Sequence, residues 1–170
     1  MDKKNSSLRI LLIEDSDTDA FIIQNAIRNH KSEVQCTRVA TFHSGEEVLE
    51  KGEADLVLLD LGLPDTVDPK DTYEKIKKWT SKLPVIIMTN LKDHELAQLM
   101  VQEGAADFLN KDTISNNPAH IRDVLDFSMA RHSIGMKLLS EKEKVEQESK
   151  QKDTVLKCFM GGYSINGSGK

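Results

Sequence analysis

The stretch Asp55-Leu56-Val57-Leu58-Leu59-Asp60 decides the fold, because four consecutive apolar residues lead directly into an aspartate. A short apolar run that is bounded by charge and followed by Leu61-Gly62-Leu63-Pro64-Asp65 is typical of a strand buried on both faces. Asp60 then lies at the carboxyl end of this strand, the edge of an open α/β sheet at which ligands bind. The alternative is that Asp60 only caps a turn.

Four more segments have strand-like patterns, and amphipathic segments separate them. The predicted strands cover 8–13, 34–40, 84–88 and 105–109, and the predicted helices cover about 17–29, 44–52, 70–80, 95–102 and a long segment from 118 onward. Helices between consecutive strands imply right-handed crossovers and a parallel sheet covered on both faces. The sequence therefore predicts an α/β fold: a doubly wound five-stranded parallel sheet in the flavodoxin-like order 2-1-3-4-5, with an extended C-terminal helix.

Single residues predict where the helices begin, where they end and which side chains face the core. Ser44 begins the second helix, Gly52 ends it, and Asp93 caps the fourth helix. Apolar side chains at helical spacing predict the inner stripes of the first and third helices. These side chains are Phe21, Ile22, Ala26 and Ile27 in the first helix, and Tyr73, Ile76 and Trp79 in the third.

Composition bounds the class of protein. A chain of 170 residues with 38% hydrophobic and 30% charged residues suits one globular domain with an appendage, and a net charge of -5 gives no overall attraction to nucleic acid or anionic membrane. Cys36 and Cys158 are not spaced as metal ligands, and we expect free thiols in a reducing cytoplasm. The polar start 1–7 is unlike a signal peptide, and no apolar run is long enough to span a membrane.

Polar residues follow the predicted strands where each strand ends: Glu14 and Asp15, Asp60, Thr89, and Lys111. Three carboxylates at one edge of a sheet, with no arginine nearby, repel one another, and a hard divalent cation such as Mg²⁺ relieves that repulsion. The Asp60 carboxylate is then a candidate nucleophile for a phosphoryl group. Lys111 neutralises the phosphoryl oxygens, and the Thr89 hydroxyl donates a hydrogen bond.

Each of these residues also has a simpler interpretation when it is taken alone. Glu14 and Asp15 can be an acidic pair at a helix N-terminus, Thr89 a turn hydroxyl, and Lys111 a solvated lysine. Their order, each at the end of its own strand, favours a site. A haloacid-dehalogenase-like phosphatase needs a second aspartate two residues after the first, and that position is Gly62.

The chain resembles the receiver domains of two-component response regulators, of the chemotaxis-regulator type, from about Leu8 to His132. The segments that carry the resemblance are Ile10-Leu11-Leu12-Ile13-Glu14-Asp15, Asp55 to Asp65, Val85-Ile86-Ile87-Met88-Thr89 and Gly104-Ala105-Ala106-Asp107-Phe108-Leu109-Asn110-Lys111. The resemblance implies that Asp60 accepts a phosphoryl group from a histidine kinase or a phosphotransfer protein. It also implies Mg²⁺ as the cofactor and a set of supporting residues. These are Glu14, Asp15, Asp60 and the backbone carbonyl of Gly62 at the metal, Lys111 at the phosphoryl group, and Thr89 and Phe108 as switch residues.

Three positions depart from the family pattern. Asn90 stands where a small residue usually follows the switch threonine, and it is expected to narrow access to the phosphoryl group. Asp112 replaces the proline that usually follows the lysine, so a cis peptide bond is not expected there. The segment 66–71 has none of the glycine usual in this loop, and we expect an atypical loop with a late helix start.

The sequence predicts four segments: a tail at 1–7, the receiver domain at 8–133, a helical extension at 134–160, and a Gly- and Ser-rich tail at 161–170 expected to be mobile. The predicted helix of this extension carries charged side chains nearly all round, and Gly135 weakens the helix locally. It can be a linker helix, a partner-binding element or a dimeric coiled coil. The ending Gly167-Ser168-Gly169-Lys170 lacks the strand and helix of a phosphate loop.

Two functional interpretations remain open. The first is a response regulator, not an enzyme beyond self-catalysed phosphotransfer and autodephosphorylation, that switches protein–protein interactions in the cytoplasm. The second is the amino-terminal receiver of a larger signalling enzyme, a hybrid histidine kinase or a cyclic-dinucleotide enzyme, ending in its linker. The expected partners are the kinase or phosphotransfer protein, a downstream target or linked output domain, and a second copy in a phosphorylation-dependent homodimer. Nucleic acid and membrane are not expected as partners, since no helix-turn-helix domain fits and the tail is not basic.

Overall fold

The computed structural model describes residues 7–28, 33–90 and 94–161. Asp93, the predicted cap of the fourth helix, and most of the predicted glycine-rich tail lie outside these ranges.

Five parallel strands form one sheet in the order β2-β1-β3-β4-β5, which confirms the predicted fold class. The strands are β1 (Leu8–Ile13), β2 (Val34–Val39), β3 (Leu56–Asp60), β4 (Val85–Thr89) and β5 (Asp107–Asn110). All five residues of β3 are buried, as a continuous apolar run at the centre of a doubly covered sheet requires. In register, Ile13 pairs with Leu59, and Asp60 pairs with Met88, so the carboxyl ends of β1, β3 and β4 lie side by side.

Six α-helices and one short 3-10 helix occur in the described ranges, rather than the five predicted helices. They are α1 (Asp17–Arg28), α2 (Phe42–Glu50), α3 (Pro69–Ile76), the 3-10 helix (Lys77–Trp79), α4 (His94–Gln102), α5 (Lys111–Asn116) and α6 (Pro118–Gly161). The unpredicted helix is α5. The Asn110 side chain accepts a hydrogen bond from the backbone N–H of Asp112 and so caps a helix in a polar segment that reads as a loop.

The inner face of α1 differs from the predicted stripe at one residue. Phe21 is 65% exposed, whereas Ala20, Ile23, Ala26 and Ile27 are buried. Residues 20, 23 and 27 follow the spacing i, i+3, i+7, and Phe21 lies about 100° away from residue 20 around the helix. The prediction for Phe21 was therefore wrong, and that for Ala26 and Ile27 is confirmed.

The start of α2 differs from its prediction, whereas the start of α3 lies within one residue of the predicted position. Helix α2 begins at Phe42, because the Thr41 side chain accepts a hydrogen bond from the N–H of Ser44, and the aromatic ring of Phe42 is buried. Gly52 has φ +67 after this helix, as its predicted role in ending it requires. Helix α3 begins at Pro69 with Asp68 as its cap.

The sheet separates two apolar layers. One layer packs β-strand side chains against α2, α3 and α4, and the other packs them against α1, α5 and the first part of α6. Tyr73, Ile76 and Trp79 lie in the first layer, as predicted. Trp79 is 8% exposed, and the ammonium groups of Lys78 and Lys82 lie 5.6 and 4.3 Å from its ring centroid.

The chain divides into two compact units, Met1–His132 and Ser133–Lys170. In the first unit, Ile121 and Leu125 of α6 are fully buried. In the second unit, the described part of α6 exposes apolar side chains along its length. These are Ile134, Met136, Leu138, Leu139, Val145, Val155, Leu156 and Phe159. Among the described residues, none of the helices has the combined length and apolarity that a membrane span needs.

Candidate functional site: an acidic cluster around Asp60

Glu14, Asp15 and Asp60 meet at the carboxyl edge of the sheet because β1 and β3 are neighbours and end side by side. Each of the three offers a carboxylate oxygen, and these oxygens lie within 4.8 Å of one another. Glu14 is fully buried and Asp60 is 7% exposed, whereas Asp15 is exposed. The structure thus brings together the three carboxylates that the strand ends predicted.

Lys111 follows β5 as the first residue of α5, and its side chain reaches back into the acidic cluster. Its Nζ lies 2.7 Å from Glu14 Oε2 and 3.1 Å from Asp60 Oδ2. A third carboxylate, Asp19 of α1, lies 3.0 Å from the same nitrogen. With 8% of its surface exposed, Lys111 is far from the solvated lysine of the simpler interpretation.

Burial and pairing shift the pKa values of Glu14 and Lys111. Burial raises the pKa of the Glu14 carboxyl, the nearby Asp60 charge adds to the rise, and the Lys111 ammonium opposes it. Burial alone would lower the pKa of Lys111, but its pairing with Glu14, Asp60 and Asp19 outweighs burial and raises it. Lys111 is therefore held as an ammonium in a pocket of carboxylates.

Arg38 of β2 holds the chain segment that carries the first two carboxylates. Its Nε and one terminal nitrogen donate to the backbone carbonyls of Glu14 and Asp15 at 2.9 and 2.8 Å. Its other nitrogen pairs with the carboxylate of Asp17 at 2.5 Å. The expectation of no arginine near the cluster was therefore wrong. Arg38 thus binds backbone oxygens and Asp17, and does not pair with the side chains of Glu14 and Asp15.

The two predicted switch residues lie on β4 and β5. Thr89 is the last residue of β4 and pairs in register with Asn110, immediately before Lys111. Phe108 pairs with Ile87, is half-buried, and lines a groove with α4. Their roles in switching stay predictions.

The other predicted positions lie close to the cluster. Gly62 is exposed, and a Cβ built on it would lie 3.6 Å from Asp60 Oδ2. Asn90 is exposed directly after β4. In the described ranges there is no cis peptide bond, so the bond between Lys111 and Asp112 is trans, as expected.

The loop after β3 has its own anchor in place of the missing glycine. The buried hydroxyl of Thr72 lies 2.9 Å from the Leu61 carbonyl oxygen and 2.7 Å from the Thr66 hydroxyl. The Asp65 carboxylate accepts hydrogen bonds from the backbone N–H groups of Phe42 and His43, at the start of α2. The loop that follows Asp60 is thus tied to α3 and to α2.

Two residues at this site were missed from the sequence: Asp19 and Arg38. Asp19 lies four residues after Asp15 in the first turn of α1, where an acidic residue has an ordinary explanation in the helix dipole. Arg38 lies on the edge strand, in a weakly alternating segment. The order of the strands, which places β2 beside β1, was the one signal that could have found Arg38.

A family model described as "Response regulator receiver domain" matches residues 10–126, and the chain belongs to this family. The "Probable C4-dicarboxylate response regulator DctR" of Bacillus subtilis is 30% identical over 103 residues, which cover 61% of this chain and 45% of that protein. The transcriptional regulatory protein BasR of Escherichia coli is 38% identical over 108 residues, which cover 61% of this chain and 46% of that protein. The chain thus matches less than half the length of these relatives.

A solved structure shows the same fold. The signal receiver domain of a protein described as a Luxo repressor, from Vibrio parahaemolyticus, is 26% identical and superposes with a TM-score of 0.66. The match covers 78% of this chain and 98% of that domain. The family is a phospho-accepting signalling module and not a classical enzyme.

Proposed function

We propose that Asp60 accepts a phosphoryl group from a histidine kinase or a phosphotransfer protein and that this modification switches protein–protein interactions. The observation that carries the proposal is the position of Asp60: a nearly buried carboxylate, 3.1 Å from Lys111 Nζ, inside a cluster of carboxylates. An Asp60 oxygen forms a bond to phosphorus, and the bond from phosphorus to the donor's histidine nitrogen breaks. The product is an acyl phosphate.

The donor set at this site fits Mg²⁺. Three carboxylate oxygens lie within 4.8 Å of one another, and the buried Glu14 Oε2 has, apart from its ion pair with Lys111, no hydrogen-bond partner among the described residues. Glu14, Asp15, Asp60 and the backbone carbonyl of Gly62 would hold the ion. Bound Mg²⁺ would neutralise charge on the phosphoryl oxygens.

The chain's own residues supply the remaining parts of the reaction. Lys111 is an ammonium already positioned beside Asp60, and its charge stabilises the phosphoryl oxygens. Thr89 donates its hydroxyl to the phosphoryl group, and Phe108 then moves inward beside β4. This shift couples Asp60 to the surface formed by α4 and β5. A shift from about 1:99 to 99:1 between the two states needs about 5.5 kcal/mol of differential stabilisation.

A second candidate is the amino-terminal receiver of a larger signalling enzyme, a hybrid histidine kinase or a cyclic-dinucleotide enzyme. The observation that favours it is α6, which continues through residues 133–161 as a helix with exposed apolar side chains. In that arrangement α6 transmits the state of Asp60 to a linked output domain. Both candidates place the protein in the cytoplasm and share the chemistry at Asp60.

The test of the phosphoryl acceptor is labelling by acetyl phosphate in the presence of Mg²⁺. Wild-type protein is expected to take up one phosphoryl group, and Asp60→Asn none, because an amide is not a nucleophile for phosphorus. Asp123→Asn is the matched control, since Asp123 is an exposed aspartate of the same unit. It is expected to label like the wild type. Label that persists in Asp60→Asn would contradict the assignment.

A further inference from the structure

Asp19 makes a contact that the Mg²⁺ and phosphoryl-acceptor roles leave unexplained. Its Oδ2 lies 3.0 Å from Lys111 Nζ, and it comes from α1 rather than from a strand end. The Asp19 side chain is 29% exposed, so solvent screens this pair only partly. The contact joins positions 92 residues apart, which makes it a tertiary contact rather than a local helix pair.

Three carboxylates surround the ammonium of Lys111, and that of Asp19 accepts a hydrogen bond from it. A lysine ammonium has three N–H groups, and Glu14, Asp19 and Asp60 lie at 2.7, 3.0 and 3.1 Å from the nitrogen. A phosphoryl oxygen that approaches Lys111 therefore competes with these carboxylates for its N–H groups. Asp60 is the partner to be replaced, because its oxygen loses negative charge when it forms the acyl phosphate.

Two partners then keep Lys111 in place during the reaction. Glu14 is fully buried and holds the nitrogen from the β1 side. Asp19 holds it from the α1 side, and its backbone N–H donates to the Ser16 hydroxyl oxygen at 3.2 Å, which fixes the first turn of the helix. Of the two, Asp19 is outside the three-carboxylate cluster, so a cation held by that cluster does not compete with Lys111 for the Asp19 carboxylate.

We propose that Asp19 is a positioning residue for phosphotransfer: with Glu14 it orients the Lys111 ammonium so that its third N–H points at the phosphoryl group on Asp60. The inference rests on the proposed function. It assigns to α1 a part in the reaction, and it predicts that the charge and the acceptor atom of Asp19 both matter while the carboxylate touches no substrate.

The first test is the affinity for beryllofluoride, a phosphoryl analogue, at saturating Mg²⁺. Asp19→Ala is expected to weaken binding about tenfold, because a charge-assisted hydrogen bond is lost. Asp19→Asn is expected to recover part of that loss, since its amide oxygen still accepts a hydrogen bond. Glu103→Ala is the matched control: its carboxylate also pairs with a lysine, Lys77, at 3.0 Å and is similarly exposed, but lies away from the site. It is expected to bind like the wild type.

The second test is a double-mutant cycle, which separates positioning from a general effect on folding. In a Lys111→Ala background, Asp19→Ala is expected to cause no further loss of beryllofluoride affinity. An equal loss with and without Lys111 would overturn the proposal. Helix content and melting by circular dichroism establish that each variant is folded, and Asp19→Asn serves if Asp19→Ala is not.

The outcomes distinguish this proposal from the function on which it rests. If Asp60→Asn abolishes labelling while Asp19→Ala binds beryllofluoride and labels like the wild type, the role of Asp19 is overturned and the role of Asp60 stands. If the wild-type protein takes no label from acetyl phosphate, both proposals are overturned.

Discussion

Arg9 and Asp55 form a two-pronged ion pair at the amino-terminal end of β1 and β3, away from the acidic cluster. Arg9 donates from Nε and from a terminal nitrogen to the two Asp55 oxygens at 3.1 and 2.6 Å, and its backbone N–H donates at 3.0 Å. These hydrogen bonds from Arg9 are the main reason that the pKa of Asp55 lies below its usual range. Both side chains remain more than a third exposed, so water weakens the pair.

Asp55→Asn is therefore expected to lower the free energy of unfolding by about 0.5–1 kcal/mol at pH 7, the value for a well-oriented surface pair. Because folding lowers this pKa, the stabilisation is present above the unfolded-state pKa of about 3.9 and is lost as the pH falls through the folded-state value. Urea unfolding at several pH values is the measurement. A difference between variant and wild type that grows toward low pH would contradict it.

At the residue scale, the sequence predicts the cluster well and its supports poorly. Glu14, Asp15 and Lys111 follow strands and Asp60 ends one, and the parallel sheet brings such positions to one edge whatever their rotamers. Asp19 joins the cluster because of the side of α1 on which it lies and the length of the Lys111 side chain. Neither feature follows from the hydrophobic pattern.

The loop after β3 shows at the element scale how an unusual sequence is stabilised. Thr72 is fully buried, and its hydroxyl joins the start of α3 to the Leu61 carbonyl, next to Asp60. Asp65, from the same loop, caps α2 by accepting hydrogen bonds from two backbone N–H groups. Burial alone would raise the pKa of Asp65, but these hydrogen bonds outweigh burial and lower it. The loop is thus determined by side-chain hydrogen bonds rather than by a glycine.

Thr72→Val is expected to lower the free energy of unfolding by about 1–2 kcal/mol, because the shape is kept while a buried carbonyl loses its partner. Thr72→Ser keeps the hydroxyl and is expected to lose less. Guanidinium unfolding of both variants beside the wild type is the measurement. Valine and serine variants of equal stability would show that the hydroxyl is not the anchor.

Elements with long apolar runs were predictable, and those defined by caps were not. The strands β1, β3 and β4 follow directly from their composition. Helix α5 was missed because Asn110-Lys111-Asp112 is polar and short, and the hydrogen bond that caps it belongs to one rotamer of Asn110. Helix α2 begins two residues before its predicted start for the same reason: its N-cap is Thr41, whose side chain accepts a hydrogen bond from the N–H of Ser44.

On the scale of the whole molecule, apolar side chains are exposed in both units. Leu99 and Val101 of α4 and Phe127 of α6 are 45%, 41% and 64% exposed in the first unit. In the second unit, Val145, Val155 and Phe159 are among the exposed residues of α6. Apolar surface of this kind favours association with a second copy or with another protein. The domain boundaries and the role of α6 stay predictions.

We expect beryllofluoride with Mg²⁺ to raise the molar mass of the wild-type protein toward that of a dimer. The reason is that charge added at Asp60 shifts the population between two conformations of the surface formed by α4 and β5. Apolar residues are already exposed on that surface. Multi-angle light scattering measures the mass, and Asp60→Asn, treated in the same way, is the control. A wild-type mass that stays monomeric would instead favour a different protein as the partner.

The position of Trp79 has a spectroscopic consequence. It is the single tryptophan of the chain and is buried in the first unit, between its lysine neighbours and the apolar layer. Selectively excited fluorescence therefore comes from that unit alone, and 133–170 contributes no indole emission. Tryptophan fluorescence can thus report the unfolding of the first unit without a label, and residues 133–170 do not contribute to that signal.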